Sequence, residues 1–393
     1  MPIPIARPNF GPQEHQAIVA PLQSGWVAQG PHVKALEADF AAYAGCTRAL
    51  TCSNGTAALH MALAALGVGP GDEVIVPGFT WVATANAAEL LGARAVLCDV
   101  DPNTFCATAE HFAAHITKHT RVLLPVHLFG HVADMPAIMA LAKEHGLKVV
   151  EDAACAVGSR LGGVHAGTFG DVGTFSFHPR KVLTCGEGGM MTTSDPHLAD
   201  MLASLRNHGA SDILVPPNHT EEYGAAGHQD FVQAHPGAAA YVMSDFVRPG
   251  FNYRLTDIQG ALLKVQFERL GEFLEARRAQ AAQYDEALAG LPVALPARVE
   301  GMEHSHQSYV LRVLPESPVG RDALADMLGA EGIQTRQGTH ALHLLGAYRD
   351  RCAPQDLPGC LDAHRHSRAI PLFPGLTEDE QQTIIDALKK ALA

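Results

Sequence analysis

The sequence feature that most constrains the fold is the alternation of short apolar runs with helix-like segments between residues 45 and 195. The runs are nearly continuous and rich in β-branched residues, which is typical of strands buried on both faces of a parallel sheet. Strands are predicted at residues 48–52, 73–77, 93–100, 121–129, 148–152, 171–177 and 188–193. Helices are predicted between them at Thr56–Leu66, Ala85–Leu91 and Met135–His145. The pattern predicts an α/β fold with a mostly parallel sheet covered by helices on both faces.

The length of 393 residues exceeds what one compact core usually organises, so two domains are expected. We assign residues 13–257 to a large domain, in which residues 211–250 form an irregular insertion rich in Pro, Gly, His and Asn. Residues 258–393 are assigned to a bridging helix and a smaller α+β C-terminal domain. Within it the pattern predicts a helix from Ile258 to about Leu288, a strand at Ser308–Val313, and helices at Arg321–Glu331 and Glu378–Leu392.

The charge balance narrows the class of partner. The chain carries 28 Lys and Arg against 41 Asp and Glu, a formal net charge of −13. An acidic chain without a long basic run is poorly suited to nucleic acid or to an anionic membrane surface. The N-terminal residues show no charged leader followed by an apolar core, and no run reaches the ~18 apolar residues of a membrane span. We expect neither nucleic acid nor membrane as a partner.

The cysteines and histidines predict neither a disulfide framework nor a metal site. The eight cysteines never form a C-x-x-C pattern and are spread over the chain, as expected of free thiols in a reducing compartment. The cytoplasm is the location that this usage predicts. The histidine pairs His304/His306 and His340/His343 have no acidic or cysteine partner at matching spacing, so we predict no metal ligand among them.

The candidate site follows from the sheet, because open α/β sheets bind ligands at the carboxyl ends of their strands. In CSNGTAAL (52–59) a glycine-containing turn leads into a helix, whose first N–H groups can seat a phosphate. Ser53 and Asn54 could instead simply cap that helix. Trp81 follows the next strand, where it could stack on a flat ligand or belong to the core.

Two further stretches end at the same predicted edge. Asp152 closes the apolar run of VVED, either as a helix cap or as the anionic partner of a protonated heterocyclic nitrogen. Ser176 and Lys181 lie in FSFHPRKVLTCGEGG, where a lysine stands between a buried strand and a glycine-rich turn.

A phosphate seat, a flat aromatic, a buried aspartate and a lysine are together the requirements of pyridoxal phosphate chemistry. The lysine would form a Schiff base with the cofactor, so that its charge need not be buried as a free ammonium. A dinucleotide oxidoreductase is disfavoured because no G-x-G-x-x-G follows a strand, and no Walker motif is present.

These stretches resemble the DegT/StrS sugar aminotransferases, which are fold-type-I PLP enzymes. The resemblance is carried by EDAA, SFHPRK, GEGG and GFNYRLTDIQGAL, and it extends from residues 24–45 to residues 332–343. It implies a fold-type-I PLP transferase, with pyridoxal 5'-phosphate as the cofactor and a homodimer whose active sites are shared between subunits.

The resemblance also implies a role for each matching residue. Lys181 matches the catalytic Schiff-base lysine, and Asp152 matches the catalytic partner of the pyridine nitrogen. Trp81 matches the aromatic residue stacked on the ring, and Cys155 stands at a cofactor-contacting position where family members often carry Gln or His. Phosphate binders are matched by Gly55, Thr56 and Ser176, and by Asn252, which would contact the phosphate in the neighbouring subunit's site.

The substrate expectation comes from the resemblance as well. Related dehydratases carry a histidine in place of the lysine, so Lys181 favours transamination. The SFHPxK pattern with GEGG resembles enzymes that aminate position 4 of a nucleotide-linked keto-sugar, whereas position-3 enzymes tend to read SFYPGK with GDGG. We therefore expect amino transfer, from glutamate by resemblance, to an NDP-4-keto-6-deoxy-sugar. A keto-cyclitol or other polyol ketone as the acceptor, and a non-catalytic regulatory relative, remain the alternatives.

Overall fold

The computed structural model of the chain describes residues 2–215 and 243–393. Most of the predicted irregular insertion at 211–250 lies outside these described residues, and only its two ends, which pair as strands Ala210–Val215 and Met243–Phe246, can be placed.

The centre of the fold is a seven-stranded sheet. Its strands are β1 (Arg48–Cys52), β2 (Glu73–Pro77), β3 (Arg94–Cys98), β4 (Thr120–Leu123), β5 (Lys148–Asp152), β6 (Val172–Ser176) and β7 (Gly189–Thr193). Their order across the sheet is β1-β7-β6-β5-β4-β2-β3. Only β7 runs antiparallel to its neighbours β1 and β6, and the other neighbouring pairs are parallel. The predicted α/β fold with a mostly parallel sheet is therefore confirmed.

The predicted strand at 121–129 is too long, because β4 ends at Leu123. Pro125 cannot donate to a strand ladder, and the chain then turns through a short 3₁₀ segment in which Phe129 has a φ of 60°. The apolar residues Val126, Leu128 and Phe129 form part of a cavity wall. Beyond the single parallel bridge of Val126 to Asp152, their apolar character therefore reflects burial against the cavity.

Helices cover the sheet and continue into the C-terminal part. They are α1 (Pro12–Ala17), α2 (Val19–Ser24), α3 (Pro31–Ala44), α4 (Gly55–Ala65), α5 (Ala83–Glu89), α6 (Ala109–Ala113), α7 (Met135–His145), α8 (Pro196–Arg206), α9 (Asp257–Glu268), α10 (Leu270–Ala287), α11 (Arg321–Ala330), α12 (Pro358–His366) and α13 (Glu378–Leu392). The single bridging helix predicted from Ile258 is divided into α9 and α10 at Arg269, whose backbone (φ −92°, ψ 4°) departs from helical values. None of the described helices is long and apolar enough to cross a membrane.

A second, four-stranded sheet organises the C-terminal part. Its strands are β8 (Val293–Ala294), β9 (Tyr309–Val313), β10 (Arg336–Gln337) and β11 (Ser367–Ile370), in the order β8-β9-β11-β10. This sheet packs with α11 and α13 around a separate apolar cluster that includes Tyr284 and Ile384. A larger apolar cluster surrounds the central sheet, and Ala341, Leu342 and Cys360 pack with it. Helix α10 contributes residues to both clusters. The domain division between residues 257 and 258 stays a prediction.

The β5 carboxylate Glu151 connects the sheet to the loop before β6. It is fully buried and accepts hydrogen bonds from the backbone N–H groups of Gly167, Phe169 and Gly170, each 2.7 Å long. His127 Nε2 donates a fourth bond of 2.8 Å, because its Nδ1 accepts from the Ala133 N–H. A buried carboxylate is stable only when its oxygens are satisfied in this way.

We expect Glu151→Gln to destabilise the protein by at least about 3 kcal/mol, because an amide has one acceptor oxygen and its NH₂ would face N–H donors. The change should appear as a lower midpoint of urea unfolding of the apoprotein. Glu144→Gln, on the exposed side of α7, is the matched control and should leave the midpoint unchanged. An unchanged midpoint for Glu151→Gln would show that this carboxylate does not hold the loop.

Candidate active site

The carboxyl ends of the central strands open onto a cavity of about 900 Å³. All but one of the site residues predicted from the sequence line it: Gly55, Thr56, Trp81, Asp152, Cys155, Ser176 and Lys181. Asn252 is the exception. The fold thus brings together residues that lie up to 126 positions apart in the chain, from Gly55 to Lys181.

The start of α4 has the form of a phosphate seat. The Asn54 side chain caps the helix by accepting from the Ala57 N–H at 2.9 Å, which confirms the capping interpretation of that residue. The N–H groups of Gly55 and Thr56 belong to the first turn and have no intrahelical acceptor. A Cβ on Gly55 would lie 2.9 Å from the Ser176 Cβ, so only glycine lets the helix start approach the end of β6 this closely. Capping and an anion seat therefore coexist here.

Asp152 presents a carboxylate to the cavity without a cationic partner among the described residues. Its side chain is 6% exposed, and Thr84 Oγ1 donates to Oδ2 at 2.8 Å while the Ala154 N–H donates to Oδ1 at 3.2 Å. The chain continues as turns after β5, so the helix-capping interpretation of Asp152 is wrong. Two hydrogen bonds stabilise a buried carboxylate, and a protonated ring nitrogen would complete its partners.

Thr84 is a site residue that the sequence reasoning missed. It is fully buried in the first turn of α5, and its hydroxyl also lies 3.1 Å from the Thr80 hydroxyl. The available signal was its position three residues after Trp81, where one helical turn points back to the strand end.

Lys181 lies in the turn that follows β6, and its side chain is half-buried. Its backbone N–H donates to the His178 carbonyl at 2.8 Å, which closes that turn. The Nζ atom lies 3.1 Å from Cys155 Sγ, to which it donates. The lysine amine therefore points into the cavity and has a single weak acceptor among the described residues.

Trp81 lies at the cavity wall with 51% of its surface exposed, so its interpretation as a core tryptophan is wrong. Its ring centroid is 5.9 Å from that of His340, with the planes tilted by 43°. The contact comes from a short pairing of Phe79–Thr80 with His340–Ala341, which joins the C-terminal part to the rim of the sheet. One face of the tryptophan is thereby fixed beside the cavity.

Asn252 is exposed and does not line the cavity of its own chain. Its backbone bridges to Asn207, and the carbonyl of its neighbour Tyr253 accepts the Ser53 N–H at 2.8 Å. Tyr253 lines the cavity, so the segment is anchored beside the phosphate seat while the Asn252 side chain faces away. Its contact with a second subunit stays a prediction.

The histidine pairs lie in different surroundings. His304 and His306 stack with centroids 4.1 Å apart, and burial lowers the pKa of His306 to about 4. Among residues 2–215 and 243–393, no three His, Cys, Asp or Glu side chains are arranged to hold a metal ion. His340 lines the cavity beside Trp81, a position that the sequence did not reveal.

The residues that line the cavity fit pyridoxal phosphate. It offers free N–H groups and the Ser176 hydroxyl for a phosphate, an indole for a ring, an unpaired buried carboxylate for a ring nitrogen and an amine for an aldehyde. The side chains present are thus those that this cofactor needs.

The comparisons with known proteins agree with this chemistry. The model of the DegT/DnrJ/EryC1/StrS aminotransferase family matches residues 8–389. The aminotransferase TlmJ from Streptoalloteichus hindustanus is 33% identical, with a TM-score of 0.87 over 99% of this chain and 98% of its own. DesV of S. venezuelae, solved in complex with a ketimine intermediate, is 33% identical with a TM-score of 0.83, covering 98% of each chain.

Spr1654 of Streptococcus pneumoniae, solved in a PLP-form, is 28% identical and has a TM-score of 0.88 over 100% of both chains. The family match covers nearly the whole chain, and relatives at 33% identity share its full length. The chain belongs to the DegT/DnrJ/EryC1/StrS aminotransferase family and is a pyridoxal-phosphate-dependent aminotransferase.

Proposed function

We propose that this enzyme transfers the amino group of glutamate to a nucleotide-linked 4-keto-6-deoxy-sugar. The observation that carries the proposal is the placement of Lys181 Nζ and the Asp152 carboxylate in one cavity of about 900 Å³. That volume leaves room for a substrate much larger than an amino acid beside the cofactor. The SFHPRK and GEGG stretches, which resemble position-4 enzymes, support the position of amination.

Each residue of the cavity has a proposed role. Gly55, Thr56 and Ser176 bind the cofactor phosphate, and Trp81 stacks on the ring. Asp152, oriented by Thr84, accepts the hydrogen bond of the ring nitrogen. Bound pyridoxal phosphate supplies an electron sink next to the reacting carbon.

Lys181 is the proposed acid–base group. Its Nζ takes the proton from the α-carbon of the donor, and in the second half-reaction it returns a proton to the sugar carbon that receives the amino group. Cys155 contacts that amine at 3.1 Å through a weak acceptor, which orients Nζ and leaves it free to move. A carboxylate at this position would instead bind the ammonium form and hold it.

We further propose that the enzyme works as a homodimer with shared sites, and that it resides in the cytoplasm. The exposed Asn252, anchored next to the phosphate seat, supports the first proposal. Eight free cysteines support the second, because chains in oxidising compartments commonly carry their cysteines as disulfides.

The substrate class is tested by a two-step reaction. Glutamate should convert the purified holoenzyme to its amino form, seen as loss of the cofactor's visible absorbance and release of the oxo-acid. After glutamate is removed, UDP-, dTDP- and GDP-linked 4-keto-6-deoxy-sugars are added, alongside a 3-keto isomer and a keto-cyclitol. We expect the absorbance to return only with 4-keto-sugar nucleotides, with the amino sugar identified by mass spectrometry. Its return with the 3-keto isomer or the keto-cyclitol alone would refute the proposed acceptor.

The assignment of Lys181 is tested by covalent labelling. Borohydride treatment of the holoenzyme should leave a phosphopyridoxyl group on the peptide that contains Lys181. Lys181→Ala should lose the label and at least about 10²-fold in the rate of the glutamate half-reaction, the usual contribution of a general acid–base group. Lys148→Ala, which removes a surface lysine paired with Asp171, is the control and should behave as wild type. Label on another lysine would remove Lys181 from this role.

The shared site is tested by mixing two inactive chains, Lys181→Ala and Asn252→Ala. If Asn252 acts across the interface, each heterodimer has one site with both defects and one with neither, so about a quarter of wild-type activity should return on random mixing. If it acts within its own chain, every site keeps a defect and mixing restores nothing. An Asn252→Ala enzyme that is fully active alone would contradict any role in the site.

A further inference from the structure

The cavity contains two arginines that the proposed chemistry does not use. Arg180 and Arg336 both line it, and neither guanidinium has an ion-pair partner or hydrogen-bond acceptor among the described residues. Two arginines that pack within the fold do have such partners: the buried Arg206 pairs with Glu37, and the half-buried Arg312 pairs with Asp362. The two cavity arginines are therefore unlike arginines that serve the fold.

The two side chains come from different parts of the chain, and both line this cavity. Arg180 immediately precedes Lys181, and its carbonyl accepts a hydrogen bond of 2.6 Å from Gln307 Nε2, which fixes the backbone there. Arg336 opens β10 of the C-terminal sheet, where it pairs with Ala369. The strand pairing fixes the backbone of Arg336 while its side chain stays exposed. Both guanidiniums are thus held near the substrate space by their backbones, and their donors remain available.

The electrostatics agree with this geometry. Burial, and after it the nearby charge of Arg336, lowers the pKa of Arg180. Like charges that line one cavity repel each other, and an anion bound between them would relieve that repulsion. The carboxylates that line the cavity do not supply it, since Asp152 is engaged by Thr84 and Glu187 makes no ion pair with either arginine.

We propose that Arg180 and Arg336 form an anion subsite that receives an acidic group of the substrate. Planar guanidiniums bind the paired oxygens of carboxylates and phosphates through two parallel hydrogen bonds. An aminotransferase binds its donor and its acceptor in turn in one cavity, so the group comes either from the carboxylate of the amino acid or from the diphosphate of the sugar nucleotide. The second source rests on the proposed acceptor, and the use of glutamate to probe the first rests on the proposed donor.

The position of Arg180 next to Lys181 in the chain connects the subsite to the reaction. Arg180 and Lys181 are adjacent in the turn after β6 and both line the cavity, so an anion bound by Arg180 would be held by the same turn that carries the proton-moving amine. Arg180 and Arg336 would therefore determine which substrates are placed for reaction, beyond adding affinity.

The test uses the holoenzyme with Arg180→Gln, Arg336→Gln and the double variant. Arg121→Gln, an exposed arginine on β4 away from the cavity, is matched in charge loss and serves as the control. The affinity of each variant for pyridoxal phosphate is measured first. The affinity for glutamate is taken from the concentration dependence of the single-turnover half-reaction, and the affinities for UDP and dTDP are measured by calorimetry. Thermal unfolding checks that each variant is folded, and Arg336→Lys should recover part of the affinity that Arg336→Gln loses.

We expect glutamate or nucleoside diphosphate affinity to fall about 10- to 100-fold in each single variant, the effect of losing a charge-assisted hydrogen bond, while pyridoxal phosphate affinity stays as in the control. A loss for glutamate alone assigns the subsite to the carboxylate, a loss for the diphosphates alone assigns it to phosphate, and a loss for both shows that the two substrates use it in turn. A fall confined to pyridoxal phosphate affinity would place the arginines on the cofactor and overturn the proposal, as would affinities within twofold of Arg121→Gln throughout. The glutamate arm is independent of the acceptor, so it can succeed even if no sugar nucleotide is aminated.

Discussion

The site depends on two adjacent carboxylates of β5 that point to opposite sides of the sheet. Glu151 accepts four hydrogen bonds and holds the loop at 167–170, and that loop leads directly into β6 and so to Ser176 and Lys181. Asp152, the next residue, keeps its carboxylate at the cavity. Because successive side chains of a strand alternate in direction, the carboxylate that holds the loop and the carboxylate at the cavity share one rigid backbone. The turn that carries Lys181 therefore starts from a strand end that the sheet fixes relative to Asp152.

The central sheet and the strand-end side of the cavity could both be predicted from the sequence, and the reason is the same for both. Strands such as β1 and β5 are buried apolar runs with clear ends, so their bounds could be predicted from periodicity alone. The strand-end rule then placed Asp152 and Ser176 at one edge. Apolar composition does not distinguish a strand from a cavity wall, so the predicted strand extends through residues 124–129, beyond the end of β4 at Leu123. A buried turn after a strand has the same composition as the strand itself.

The substrate side of the cavity was harder to predict, because it is built from contacts between distant segments. His340 reaches Trp81 only through the pairing of two-residue strands, and Arg336 reaches the cavity through the register of β10 with β11. Neither strand carries a pattern long enough to recognise in the sequence. Thr84 was missed for another reason, since an uncharged hydroxyl on an alanine-rich helix has the same appearance whether it faces a core or a carboxylate.

This division of the cavity has a consequence for how specificity can change. The strand-end side of the cavity is made by rigid strand ends and by Gly55, where even one added carbon would meet Ser176 at 2.9 Å, so it tolerates little variation. The C-terminal part contributes exposed or half-buried side chains on short strands and turns, such as Arg336 and His340, whose replacement disturbs no core contact. Substitutions in the C-terminal part can therefore reshape the cavity without altering the geometry between Lys181 and Asp152.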